Sequence, residues 1–578
     1  MKTIWRVSTY LFRYKWMFWG TIALAIGSTL FYLVVPKVAG FIVNKLVGQE
    51  SLDGYWPLVA ILVGCFAMRE LLNSLRIRLN NVLEQKVLID LRLDLHTKLL
   101  DLPVRYFDSR KSGDIASRVI EDVQNVERVI LDGTEQGSTA LLTLFGVCGM
   151  MFYSEPRLAT LMILPIPVMV LLSRLHFKTQ SVNWRKVRKA SGELSSLLIE
   201  DIQGNRLINS FALKDREKGR FSDKAHELRK YTLRGMFRWS LQGPLNGFIV
   251  SLGTVAVIGY GGYLTFSEPE TFKTGDLVEY LLFCYMLYAP LTLFSSLNNM
   301  FATGKASAER VFDLLDYPID IKDPDTAKPF PASPLEICFN AVDFNYSERS
   351  NLLSDFSLIM PAGKVTALVG HTGAGKSTVA NLLQRYYDVS EGSVTINGVD
   401  VRELTLQSLR SNIGMVAQDP FLFDGSIRDN LQLAREGASD EELRQALEGA
   451  CAWEFVSKLP DGMDTLIGER GIRLSMGEKQ RLTIARVILR NPPLVILDEA
   501  TSAVDTLTEA KIQAAVDNLV KERTTLVIAH RLSTVLKADK IVVLDQGRII
   551  ETGTHDELIH IDGHYANLWK VQTDLIGD

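Results

Sequence analysis

Cysteine is scarce and scattered. Five occur in 578 residues, at Cys65, Cys148, Cys284, Cys338 and Cys451. None forms a C-x-x-C pair, so neither a zinc site nor a disulfide framework is encoded, and reduced structural thiols are expected. An excess of one charge is equally lacking. Lys plus Arg (63) nearly balance Asp plus Glu (67), a net charge of -4 that gives no bulk attraction to nucleic acid. No small-residue cleavage site follows the first apolar run. The basic, aromatic start MKTIWRVSTYLFRYK (1–15) is therefore read as a short amphipathic helix on the inner membrane surface rather than a removable signal. The hydrophobic share, 47%, is ordinary for a soluble protein. Its distribution is not, because long apolar runs fill much of 16–300 and the remainder reads as a soluble α/β enzyme.

A spanning helix needs about 20 mostly apolar residues. Six segments qualify, near 16–36, 57–77, 136–153, 157–176, 243–266 and 277–300. The turns after the first, third and fifth are acidic or short: Gln49, Glu50 and Asp53; SEP at 154–156; Glu268, Glu270 and Asp276 with the single cation Lys273. The longer segments between the other spans hold Lys86, Arg92, Lys98, Arg105, Arg110, Lys111, Arg118, Arg185, Lys186, Arg188 and Lys189. The positive-inside rule places these and the N-terminus in the cytoplasm. Stretches 78–105 and 185–235 have helical periodicity and are predicted to continue out of the bilayer, with polar turns FDSRKSGD (107–114) and ALKDREKG (212–219). Arg69 and Glu70 fall within the second apolar run, where ionisable groups face a cavity or a partner.

The texture changes near 318. KDPDTAKPFPASP (322–334) reads as a linker. The expected architecture is a helical membrane domain over 1–318, a linker over 319–334 and an α/β domain over 335–578. Strand-like runs follow the linker at 338–344 and 365–370. The second enters GHTGAGKST (370–378), the G-x-x-x-x-G-K-[ST] loop whose backbone N–H groups wrap phosphates. Gly370, Thr372, Gly373, Gly375 and Thr378 belong to this cradle. Lys376 reaches the β- and γ-phosphates, and Ser377 is a Mg²⁺ ligand. The helix TVANLLQRYY adds the positive end of its dipole. Downstream, LVILDEATSAVD (494–505) is an apolar strand ending in Asp498, placed for the Mg²⁺ shell, and then Glu499, placed to orient or deprotonate the attacking water.

Residues 335–578 resemble an ABC ATPase domain along their whole length. The resemblance implies ATP and Mg²⁺ as ligands and gives further residues their parts. Tyr346 would stack on adenine. Gln418, in VAQDPFLF, matches the glutamine that senses the γ-phosphate and the metal. LSMGE (474–478) matches the signature, whose Ser475 and Gly477 would bind ATP held by an opposite subunit. SAVD (502–505) matches the D-loop, and His530 matches the switch histidine. TLIGERG (465–471), with Glu469, resembles the X-loop of exporters, and the turns at 107–114 and 212–219 resemble its coupling regions. Six spans fused ahead of the ATPase are also the exporter arrangement. The implied unit is a half-transporter that completes its ATP sites only as a dimer.

The signature departs from LSGGQ at Met476 and Glu478, which leaves a homodimer, the preferred reading, or a heterodimer open. The implied cargo is an amphipathic or lipid-like molecule, and the implied location is a bacterial inner membrane, with the ATPase domain in the cytoplasm. A regulated channel, an importer and a soluble ATPase acting on nucleic acid are disfavoured by the fused spans and balanced charge. A peptide exporter is disfavoured because no peptidase domain precedes the first span.

Overall fold

The computed structural model describes residues 2–48, 54–346, 352–498, 506–529, 535–561 and 563–574. The chain divides into two compact units: Met1–Leu100 with Gly113–Tyr317, and Asp101–Ser112 with Pro318–Asp578.

The first unit is helical. It contains α1 (Lys2–Arg13), α2 (Lys15–Val47), α3 (Tyr55–Asp101), whose last residue belongs to the second unit, and, after α4 (Val104–Asp108) of that unit, α5 (Ser112–Ser117), whose first residue also belongs to the second unit. It continues with α6 (Val123–Ser154), α7 (Pro156–Ile163), α8 (Pro165–Gln203), α9 (Asn205–Ser210), α10 (Lys214–Ser267) and α11 (Thr274–Leu315). Lys15–Val47, Tyr55–Asp101, Glu135–Ser154 and Lys214–Ser267 are long and apolar enough to cross a membrane. The other two expected spans fall in α7–α8 and α11. The fourth expected span is not one continuous helix: α7 ends at Ile163 and Pro165 opens α8. A proline has no N–H to give to the preceding turn but fits a first helical turn well.

Two of the acidic turns of the sequence, at 154–156 and 268–276, meet at one end of this unit, while Gln49, Glu50 and Asp53 of the other lie outside the described residues. Arg157, beside the SEP turn, donates to Glu268 at 2.9 and 3.0 Å and to Glu155 at 2.7 Å. Nearby, Asn44 of α2 accepts from the Gly275 backbone at 2.6 Å and donates to Asp276 at 3.2 Å. Here α2 and α11 touch backbone to backbone: a Cβ on Gly275 would lie 2.1 Å from the Gly40 carbonyl oxygen. Such small-residue contacts are how helices approach closely in a bilayer. The buried Glu279 accepts from Ser154 at 2.9 Å and pairs with Lys37 at 3.4 Å, tying α2, α6 and α11 together. At the chain start, α1 is held by Arg6 to Asp316 and by Tyr10 to Asp94 at 2.8 Å. Arg69 pairs with its neighbour Glu70 at 3.2 Å, and its guanidinium lies 4.0 Å from the Tyr32 ring centroid.

The polar run at 212–219 is mostly helix rather than turn. The chain reverses at Ala212 (φ +51), and α10 begins at Lys214. Asp215 and Glu217 in its first turn complement the positive helix end.

In the second unit, a four-stranded antiparallel sheet has the order β2-β1-β4-β5, with β1 Ile337–Phe344, β2 Leu353–Met360, β4 Glu391–Ile396 and β5 Val399–Asp400. A six-stranded sheet has the order β10-β9-β3-β8-β7-β6. Its strands are β3 Val365–Val369, β6 Ile413–Val416, β7 Leu494–Asp498, β8 Thr524–Ile528, β9 Lys540–Asp545 and β10 Arg548–Gly553. All pairs are parallel except β9–β10. Alternate residues supply two cores. Ala367, Val495, Leu497 and Val527 face one, while Leu368, Leu494, Ile496 and Leu526 face the other. A sheet covered on both faces explains why these strands read as unbroken apolar runs. The segment 322–334 is pinned to this unit: Arg385 donates to the Lys322 carbonyl at 3.1 Å, Lys328 pairs with Glu403 at 2.8 Å, and Asn397 donates to the carbonyls of Ala332 and Pro334.

Candidate functional site

Strand register brings distant residues to one sheet edge. Leu368 of β3 pairs with Ile528 of β8, and Ile528 pairs with Asp498 of β7. Val416 of β6 pairs with Leu497. The strands are parallel, so the loop beginning at Gly370, the Asp498 carboxylate and Gln418 all follow from the same C-terminal edge. In α/β sheets this edge is where ligands bind. Glu499 follows Asp498 directly and His530 lies two residues after Ile528. Both, with the D-loop at 502–505, lie outside the described residues.

The loop at 370–378 is built around a buried ammonium. Lys376 is 5% exposed and donates to the carbonyls of Gly370 at 2.6 Å and His371 at 3.0 Å. Two glycines have no substitute here: a Cβ on Gly370 would fall 2.2 Å from the Leu544 carbonyl oxygen, and Gly375 sits at φ +104. Gly375 caps α12 (Lys376–Leu383). Thr372, Gly373 and Ser377 are exposed, whereas Thr378 is buried. Exposed backbone beside a buried cation and a helix N-terminus suits a polyphosphate. Among the described residues no trio of His, Cys, Asp or Glu gathers to hold a metal. The arrangement instead suits Mg²⁺, which takes one or two protein ligands together with phosphate oxygens.

The helix expected through Tyr387 stops at Leu383. Arg385 takes φ +50 and is almost fully buried, its guanidinium held by Asp388 at 2.9 Å and by the Lys322 carbonyl. This bend carries Tyr387 into a small aromatic cluster. Tyr387 lies edge-on to Tyr346 with centroids 4.8 Å apart, and Tyr346 is 4.9 Å from Phe344. The Tyr346 hydroxyl accepts from Asn381 at 3.1 Å and donates to Thr378 at 3.4 Å. The Tyr387 hydroxyl donates to Asp108 at 2.7 Å. Burial and this carboxylate push the Tyr387 hydroxyl well above the usual phenol range. Asp108 ends α4, inside the polar turn read as a coupling region, and the segment 101–112 groups with this second unit.

Ser475 is the N-cap of the helix Met476–Arg490. Its hydroxyl and its backbone N–H both donate to Glu478 at 2.8 Å, while the Glu478 N–H donates back at 3.4 Å. Glu478 is thus the third residue of a capping box, a position that glutamine fills as well. Gly477 is buried. Further along this helix are two residues that sequence reasoning missed. Gln480, 3% exposed, donates to the Ala417 carbonyl next to Gln418 at 3.2 Å. Arg486 donates to the carbonyls of Phe421 and Asn430, both at 2.7 Å, and to the Asn430 side chain. Burial pulls its pKa down to about 10. Together they fasten the chain after β6. Only their place on the apolar side of an amphipathic helix could have hinted at it.

Family profiles match twice: "ABC transporter transmembrane region" over residues 18–291 and "ABC transporter" over 353–502. The chain is 36% identical over 572 residues to an uncharacterised ABC transporter ATP-binding protein, YknV, of Bacillus subtilis, covering 98% of this chain and 94% of that protein. It is 35% identical to an ATP-dependent lipid A-core flippase of Syntrophus aciditrophicus, over 96% of this chain and 92% of the flippase. The solved structure of a bacterial Atm1-family ABC exporter with ATP bound superposes with a TM-score of 0.82 at 28% identity, covering 96% of this chain and 98% of the exporter. With a helical membrane domain fused ahead of an α/β ATPase that binds and hydrolyses ATP, the chain belongs to the ABC transporter family, as an exporter-type half-transporter.

Proposed function

We propose that the protein is one half of an ATP-driven exporter or flippase that moves an amphipathic or lipid-like molecule out of the cytoplasm or the inner leaflet. The observation that supports this best is the hydrogen bond from Tyr387 to Asp108. It links the aromatic cluster beside the phosphate loop to a segment continuous with α3. The curated relatives include a lipid A-core flippase and a Staphylococcus aureus protein provisionally named for multidrug export. On this reading residues 1–318 are the membrane domain, 319–334 the linker and 335–578 the ATPase domain. The bacterial relatives support a bacterial inner membrane, with the ATPase domain on its cytoplasmic side.

In the proposed site, Gly370, Thr372, Gly373, Gly375 and Thr378 line the phosphate cradle. Lys376 balances phosphate charge and Tyr346 stacks on the base. Ser377, Asp498 and Gln418 would hold Mg²⁺, which neutralises charge building on the phosphate oxygens. Glu499 takes up the proton of the attacking water or fixes its orientation. His530 donates a hydrogen bond to the terminal phosphate. Ser475 and Gly477 serve the nucleotide of the other subunit, so one chain cannot complete a site. Two chains close around nucleotide and reopen after hydrolysis, and the segment 101–112 passes that motion to α3 in an alternating-access cycle. A homodimer is the simpler assembly, and Glu478 is compatible with it because the capping box is intact.

The test is ATP-dependent movement of a fluorescent lipid between leaflets of proteoliposomes holding the wild type or Glu499→Gln. Movement that needs ATP and stops in the variant is the expected result. Movement that is independent of ATP would refute the reading in favour of a channel. Native mass spectrometry of the complex from its own membrane should give twice the mass of this chain; a second, different chain would show a heterodimer.

A further inference from the structure

A cavity of about 540 Å³ lies among α2, α3, α6 and α11 of the membrane unit. Its wall is mostly apolar, with Phe18, Ile22, Leu83, Leu141, Leu297 and Phe301. Arg76, Asn80 and Glu135 interrupt that lining. Arg76 is 9% exposed and Asn80 4%. The guanidinium lies 3.1 Å from the Glu135 carboxylate and donates to Asn73 at 2.8 Å and to Thr139. Its Nε is shielded from solvent and has no hydrogen-bond partner among the described residues. None of these residues belongs to the ATPase machinery. Ionisable groups in a spanning segment are costly and mark functional paths, and a buried donor left unmade is costly again.

We propose that this cavity binds the cargo, and that the cargo is an amphipathic molecule whose polar head is net neutral, either uncharged or zwitterionic. The charge balance of the site decides the class. Among the described lining residues Arg76 is the one cation, and Glu135 already neutralises it. An anionic head would have to pull Arg76 away from the half-buried Glu135 carboxylate and bring a second negative charge beside it. A cationic head would do the reverse to Arg76. Breaking a buried pair in this way is strongly unfavourable. A net-neutral head can instead accept from Arg76 and Asn80 and donate to Glu135 while the pair survives. The volume falls within the range of roughly 300–1,000 Å³ that takes one drug-sized ligand, so a single apolar chain or compact ring body fills it. The inference rests on the exporter reading for the ligand's fate, though not for its binding.

The experiment is photolabelling of the full-length protein in phosphatidylglycerol nanodiscs, without ATP, with adducts mapped by mass spectrometry. The probe is lysophosphatidylcholine with a diazirine in its acyl chain. Lysophosphatidic acid with the same chain is the anionic comparator. The choline probe should label segments 18–25, 80–83, 137–141 and 297–301 roughly tenfold more than the anionic one, the ratio a difference of about 1.4 kcal/mol gives. Gly137→Leu should cut that labelling about tenfold by filling the cavity. Among the described residues a Cβ there meets only Leu297 Cδ1 at 3.8 Å, so the variant should fold, which gel filtration checks. Arg76→Glu should lose labelling, and Arg76→Glu with Glu135→Arg should regain it. If Arg76→Glu does not fold, Gly137→Leu decides alone. Equal or stronger labelling by the anionic probe, adducts elsewhere, or labelling indifferent to Gly137→Leu would each overturn the proposal. ATP-driven movement of the same probe in proteoliposomes is read separately. Labelling without movement would sink the export reading and leave the site standing. Movement without labelling of this cavity would sink the site alone.

Discussion

The two units bury a cation in opposite ways. In the ATPase unit, Lys376 is satisfied by carbonyls only six and five residues before it, within the loop it closes. In the membrane unit, Arg76 is held by Asn73 on its own helix and by Glu135 and Thr139 of α6, Thr139 lying 63 residues along the chain, while its Nε has no partner among the described residues. The first solution is local and built of main chain, so it can be written as a short motif. The second depends on how α3 and α6 pack, and no spacing rule announces it. A main-chain cradle also tolerates little change in glycine or lysine. A side-chain pair on helices can be exchanged for its mirror, Glu for Arg and Arg for Glu, with the same partners in contact.

The contrast predicts where single substitutions act most strongly. Glu499→Gln should reduce ATP turnover by about 10²–10⁴-fold, the usual contribution of a positioned general base, and should trap nucleotide. Phosphate release and retained radiolabelled ATP measure both. Near-normal turnover would remove Glu499 from its proposed part. Next in size, Lys376→Ala removes the buried ammonium and leaves the Gly370 and His371 carbonyls without its donors. ATP binding should fall at least about 10²-fold, in line with losing one charged contact to a phosphate. A fluorescent ATP analogue reads this directly. If binding of the lysophosphatidylcholine probe fell equally in this variant, the separation between the two regions would be wrong.

How much of this was legible follows the same division. GHTGAGKST names its own structure, since two glycines that no side chain can replace and one lysine fall within a single nine-residue run. The end of β7 at Asp498 was legible for a related reason: a strand buried on both faces can end in a carboxylate only at its edge. The helix after the loop was over-read through Tyr387, because propensity cannot register that Arg385 binds the Lys322 carbonyl and bends the chain. The turn at 212–219 was over-read because charge alone does not distinguish a loop from the first turn of a helix. Arg69 and Glu70 attracted attention by standing in an apolar run, yet they pair with each other. Arg76 and Glu135 stand in more polar surroundings and drew none. What singles them out is burial, a property of packing.

A smaller effect tests whether the two regions communicate through Tyr387. Tyr387→Phe keeps the ring against Tyr346 and deletes the hydroxyl that binds Asp108. Losing one such hydrogen bond to a carboxylate is worth about 1.5–3 kcal/mol where the partner is left buried, and less here because the site is partly exposed. ATPase activity should remain within about twofold of wild type, with transport per ATP several-fold lower. Equal losses in both would mean that Tyr387 serves the nucleotide site alone.

The smallest change concerns the signature. Glu478→Gln preserves the capping box, since either side chain can accept from the Ser475 N–H and hydroxyl. It deletes a carboxylate at the helix end proposed to meet the other subunit's phosphate. Charge at a helix N-terminus is worth about 0.3–1 kcal/mol, so thermal stability should drop slightly. The KM for ATP should move the other way and fall about threefold, because like-charge repulsion with the phosphate is relieved. In a homodimer both sites improve together and the ATP curve remains simple. In a heterodimer the site served by the partner's signature is unchanged, and the curve becomes biphasic. A substitution too small to alter the fold thus separates the two assemblies, because it acts only where one chain completes the other's site.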